Sequence, residues 1–162
     1  GEGAGLEEVV YEGFGPGGVA IMVAVLSDNR LRTAQQVREV FERGGGSMGS
    51  LGAVGYLFAH VGEVRIKNTG LGDEDELKMI DLGVSEVDRY EDMWEVYCDK
   101  EKTAEVREGL EKLGYKVEEA DLTMKPKVAM EIENEETRAK IEMMLEKMEE
   151  LDDVHKVWTN YA

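Results

Sequence analysis

The chain has 162 residues, 42% of them hydrophobic, and carries 36 Asp and Glu against 19 Lys and Arg. That is enough for one domain or two small ones with a real core, without disulfide or metal staples. A net charge of −17 argues against wrapping nucleic acid by bulk electrostatics, because each phosphate contact needs a cation to displace counterions.

In chain order, residues 6–12 read as a short strand, followed by the glycine-rich turn 13–18. Residues 19–26 are apolar on both faces, as in a central strand covered on each side. This longest apolar run has eight residues, far short of the about 20 that span a membrane. Ser27-Asp28-Asn29 ends the strand, and Thr33 with Gln36 three residues on reads as a capping box. Val37, Val40 and Phe41 then supply one helical stripe, until Gly44-Gly45-Gly46 stops it. Residues 54–58 and 64–67 read as a hairpin, and 68–76, "NTGLGDEDE", as a linker. A short helix over 76–82, a strand over 94–98, a helix over 102–113 and a strand over 115–124 follow. Beyond Pro126 come a strand over 128–132, a helix whose Ile141, Met144, Leu145, Met148 and Leu151 share one face, and a closing strand over 154–158. "LEKLGYKVEEA" and "MEELDDVHKVW" both run helix, tight turn, strand, an internal echo that suggests two split βαβ units. The fold class expected is therefore α+β, two α/β sandwiches with mainly antiparallel sheets, ferredoxin-like in at least the second.

Two stretches match G-x-G-x-x-G, Gly13 to Gly18 and Gly44 to Gly49. A dinucleotide cradle needs its glycines after a strand and opening a helix, so that phosphate meets free N–H groups. Here a strand follows each loop, and Pro16 removes one donor. Gly13, Gly15, Gly17, Gly18, Gly45 and Gly46 are thus read as shaping backbone or a contact surface, with no nucleotide or other small-molecule ligand expected. His60 and His155 lie in different segments, Cys98 sits alone, and no carboxylate run has the spacing of a calcium loop, so no metal, cofactor or catalytic centre is expected. The lone cysteine excludes an internal disulfide.

Charge is unevenly placed. Residues 1–70 carry 6 basic and 8 acidic groups, and 71–162 carry 13 and 28. The only basic groups among the first 64 residues are Arg30, Arg32, Arg38 and Arg43. Charge patterning leaves two readings, a solvated helix face interleaved with Glu39 and Glu42, or a surface for phosphate.

"YEGFGPGGVAIMV", "LSDNR" followed by an arginine and Thr33, "GGSMG" and "YLF", in this order and spacing, resemble the central part of the YebC family. Mitochondrial relatives in that family activate translation of cytochrome oxidase subunit I. The likeness continues through "LGYKVEEADLTMKP" and "LDDVHKVWTN". It implies a discontinuous central domain, residues 1–70 with 126–162, and an inserted acidic domain over 71–125. Family members begin with a lysine-rich helical domain usually read as the main nucleic-acid grip, and this sequence starts after it.

The resemblance implies one of two functions, a ribosome-associated factor that relieves stalling on proline-rich stretches or a DNA-binding transcriptional regulator. The acidic half favours the first, a non-enzymatic translation factor facing ribosomal RNA and basic ribosomal proteins, with DNA reached through the helical domain. Arg30, Arg32 and Arg38 are the expected RNA contacts, and the location expected is the cytoplasm, or the mitochondrial matrix in a eukaryote.

Overall fold

A computed structural model describes residues 5–162, which contain eight strands and four α-helices. They form two compact units, one made of the chain up to Ala59 together with Lys125–Ala162, the other of His60–Met124.

The first unit is a four-stranded sheet, order β3-β1-β2-β8, built from β1 (Glu7–Phe14), β2 (Ala20–Ser27), β3 (Ser47–Met48) and β8 (Val154–Thr159). β1 and β2 pair antiparallel from Glu7 opposite Ser27 to Phe14 opposite Ala20. The pleat then puts Val9, Tyr11 and Gly13 on one face with Ile21, Val23 and Val25. On that face lie α1 (Arg30–Arg43) and α4 (Glu135–Glu149), whose Val37, Phe41, Ile141, Met144 and Met148 complete an apolar core. Glu12 and Met22 point to the opposite face.

The second unit runs β4 (Phe58–Lys67), α2 (Asp73–Asp81), β5 (Glu86–Arg89), β6 (Met93–Asp99), α3 (Thr103–Lys112) and β7 (Val117–Pro126). Its sheet order, β5-β6-β4-β7, is that of a ferredoxin-like βαββαβ unit, with the two middle strands being the first and third in sequence. Val64, Ile66, Trp94, Val96 and Cys98 meet Met79, Val106 and Leu110 in its core.

Four local expectations change. The hairpin over 54–58 and 64–67 is instead a 3₁₀ turn at Gly55–Leu57 leading into one ten-residue strand, β4. The linker is shorter than read, because α2 begins at Asp73. The Asp75 carboxylate accepts the Gly72 N–H, and four acidic residues fill a first turn where the helix dipole favours them. The 128–132 segment forms a single bridge, Met130 to Tyr161, rather than a strand. Finally, the cap of α1 is Asn29 and not Thr33. Asn29 Oδ1 accepts the Arg32 N–H at 3.1 Å, while the Thr33 side chain is buried and bonded elsewhere.

Candidate nucleic-acid interface

The start of α1 is held by a hydrogen-bond network. Ser27 Oγ accepts the Asn29 N–H at 2.9 Å and meets the Thr33 hydroxyl, and Thr33 Oγ1 donates to Asp153 Oδ2 at 2.7 Å. Arg32 Nη2 donates to the same Asp153 oxygen at 3.0 Å and to Asp28 Oδ1 at 2.9 Å. The bonds from Thr33 and Arg32 hold the Asp153 carboxyl below its usual range. Arg32 is thus a staple between the α1 start and the turn before β8. Arg30 pairs with Glu7 at 3.5 Å, and its backbone carbonyl accepts from the Tyr11 hydroxyl. Arg43 pairs with Glu39 one turn back, at 2.7 Å. Arg38 is exposed and has no carboxylate partner among the described residues.

These arginines do not line up. At about 100° per residue, Arg32 and Arg43 share the flank carrying Gln36 and Val40, which borders a groove against Met143, Met144 and Lys147 of α4. Arg38 stands on the other flank. The same economy runs through the second unit, where Arg65 serves Glu63, Glu95 and Glu119, and Arg89 serves Asp73 and Glu76 while lying 4.5 Å from the Trp94 ring centre. With Arg107 on Glu111 and Arg138 on Glu135, seven of the eight arginines are paired with carboxylates.

The glycine loops gather at the opposite end of the first unit. β2 leads away from them and α1 returns, so Arg30 and Arg32 stand about 20 Å from the loops, the length of a 14-residue helix. The structure therefore does not bring the expected arginines and the expected loops into one contact. Gly15 opens a 3₁₀ turn, Pro16–Gly18, in which Gly17 and Gly18 take positive φ, and Gly45, also at positive φ, follows α1 beside Pro16. At Gly13 and Gly46 the need for glycine is internal. A Cβ on Gly13 would stand 2.6 Å from the Ser47 carbonyl and 2.7 Å from the Phe41 ring, and one on Gly46 would overlap the Phe14 carbonyl oxygen.

Sequence reasoning missed Glu12. Its side chain is only 4% exposed, and its two oxygens accept the N–H groups of Gly52 (2.8 Å), Val54 (2.9 Å) and Gly55. Burial pushes this carboxyl up, and the three N–H donors more than offset it, leaving the group below its ordinary value. The carboxylate organises the whole 49–57 loop, which also returns Gly49 N–H to the Glu12 carbonyl. Little in the sequence marks it, since Glu12 stands between Tyr11 and Gly13 in a strand without clean alternation and its loop partners lie 40 to 43 residues on.

Among the described residues no three His, Cys, Asp or Glu side chains gather as a metal-binding group, and no helix is long and apolar enough to cross a membrane.

Comparison with known proteins gives the setting for these features. The family described as TACO1/YebC second and third domain matches residues 6–161. A probable transcriptional regulatory protein of Thermoanaerobacter pseudethanolicus is 42% identical over 160 residues, covering 98% of this chain and 65% of that protein. A probable transcriptional regulatory protein of Aquifex aeolicus is 43% identical over 161 residues, covering 99% and 65%. The crystal structure of a conserved hypothetical protein from Aquifex aeolicus superposes with a TM-score of 0.88 at 42% identity, covering 97% of this chain and 65% of that one. The chain thus spans about 65% of the length of these relatives.

Proposed function

The chain belongs to the TACO1/YebC family, and from that premise we propose that it works without catalysis, as a ribosome-associated translation factor of the kind that eases stalling on proline-rich sequences. The observation that carries this reading is where its cations are spent. Seven of eight arginines neutralise carboxylates of the chain itself, and the His60–Met124 unit holds nineteen acidic against nine basic side chains. Such a surface repels the dense phosphate array of duplex DNA and suits a partner that presents basic protein beside RNA. Of the three arginines expected at RNA, Arg38 is the one assigned to a phosphate, while Arg30 and Arg32 brace the helix start.

Co-sedimentation with ribosomes at two salt concentrations tests this. Association should persist at about 150 mM salt, and Arg38→Gln should flatten its salt dependence by about one phosphate contact. Loss of all ribosome binding at that salt would defeat the reading.

A second reading has its own support, since the relatives are named probable transcriptional regulatory proteins. On that reading, submicromolar and sequence-selective duplex binding is expected at the same salt.

A further inference from the structure

The 49–57 loop has apolar side chains of two kinds. Val54 and Phe58 are buried and anchor it, whereas Leu51 is 90% and Tyr56 67% exposed. Their outward position is held from below. Glu12 takes three loop N–H groups, Ala53 N–H bonds to the Ser50 carbonyl, and Leu57 N–H bonds to the Val54 carbonyl. Beside this loop runs the segment after β7, because Lys127 N–H donates to the Leu57 carbonyl at 2.9 Å. There Val128 is 76% exposed, and the exposed Lys127 side chain has no partner among the described residues.

The charge around these knobs is unlike the rest of the molecule. Residues 43–62 form the longest stretch without Asp or Glu in a chain that has 36 of them, and residues 122–130 lack them too while contributing Lys125 and Lys127. The Glu12 carboxylate, which bonds this loop, is buried and turned into the loop amides. An exposed aromatic ring, one residue from the carbonyl that the Lys127 N–H reaches, in two stretches of sequence without acids, matches a ligand with flat apolar faces and spaced negative charges. Two stretches without acids offer a basic protein partner little to pair with.

We propose that the Tyr56 and Lys127 patch, with Leu51 and Val128 at its margin, binds an unpaired stretch of RNA. A base stacks on the Tyr56 ring and its phosphate meets the Lys127 ammonium. The proposal deepens the ribosome reading, on which it rests for its target. It differs from a helix-borne phosphate track, because stacking and not charge supplies most of the affinity.

The test uses a labelled, unstructured 12-nucleotide RNA and fluorescence anisotropy, with ribosome co-sedimentation run on the same proteins. Tyr56→Ala should weaken RNA binding about 10-fold, and Tyr56→Phe, which keeps the ring, should restore most of it. Lys127→Gln should weaken it a further few-fold. The salt slope for the wild-type protein should be no steeper than about −1.5, the value for two single-strand phosphate contacts. Because Tyr56 is exposed, circular dichroism and melting of the variants should match the wild type.

No RNA binding by the wild-type protein, or equal binding by Tyr56→Ala, overturns the proposal. So does a Tyr56→Ala defect seen only with RNA-free ribosomal proteins, which would make the patch a protein contact. If the oligonucleotide arm fails while ribosomes still bind, the site assignment falls and the ribosome reading stands. If the oligonucleotide arm succeeds while ribosomes do not bind, the reverse holds.

Discussion

Replacing Glu12 by Gln changes one oxygen to an NH2 group at the centre of a set of three backbone donors. Val54 and Gly55 give their N–H groups to Oε1, and Gly52 gives its own to Oε2. The best orientation of the amide keeps the pair on the remaining oxygen and turns its NH2 toward the Gly52 N–H, which is left without an acceptor. Hydrogen bonds to a charged group contribute about 1.5–3 kcal/mol each, and an orphaned buried donor costs about 1–3 kcal/mol, so the variant should lose about 2–3 kcal/mol. Glu12→Ala, with all three donors orphaned, should lose about 4 kcal/mol. Two readouts separate this from general damage. Amide exchange at residues 52, 54 and 55 should speed up strongly, while the His60–Met124 core keeps its protection. Urea unfolding of the first unit should shift its midpoint down by roughly 1 M, at a slope of about 2 kcal/mol/M. The pH dependence has a definite sign. The folded-state value of Glu12 lies below the ordinary 4.5, so its contribution is complete above that value and is lost as pH falls through the folded-state value. Glu12→Gln should remove this part of the acid sensitivity. A variant within 0.5 kcal/mol of the wild type, with unchanged exchange at those three amides, would refute the role given to Glu12.

Three further outcomes are expected. Gly13→Ala should cost about 1–3 kcal/mol by overpacking against Phe41 and the Ser47 carbonyl, and Gly46→Ala at least as much, both measured by chemical denaturation. Thr33→Val, which keeps the volume but removes the bonds to Asp153 and Ser27, should lower stability by about 1–3 kcal/mol while helix content by circular dichroism is retained. Cys98 is buried in the second unit, and burial pushes its thiol up, so a thiol reagent at neutral pH should label it only after unfolding.

The strands and helices that bury a face were legible because their apolar residues keep a period. β2, α1 and α4 follow from residues 19–26, from Val37, Val40 and Phe41, and from Ile141 to Leu151. The repeated helix, turn, strand pattern suggested a split βαβ unit in each half, and only the second unit has that order, because in the first β1 and β2 pair directly as antiparallel neighbours. What failed was segmentation where apolar residues serve a loop. Val54 and Phe58 look like strand residues, but the backbone turns there so that the Val54 and Gly55 N–H groups face a carboxylate 42 and 43 residues earlier in the chain. Nothing local announces such a partner. Thr33 misled for a similar reason, since the hydroxyl that would cap a helix is taken by Asp153, 120 residues away. The candidate site shows the same limit. The arginines were visible as a cluster, but that Arg30, Arg32 and Arg43 are paired, and that Arg38 faces a different flank, depends on long-range placement and helical phase.

If the protein is a translation factor, it partitions onto ribosomes in preference to duplex DNA. In a single mixture, labelled protein is offered ribosomes and an equal mass of mixed-sequence duplex DNA at about 150 mM salt, then resolved by sedimentation. The label should travel with the ribosomes, and doubling the DNA should not displace it. Label retained on DNA, with ribosomes bare, would overturn the ribosome reading and make duplex recognition the protein's function.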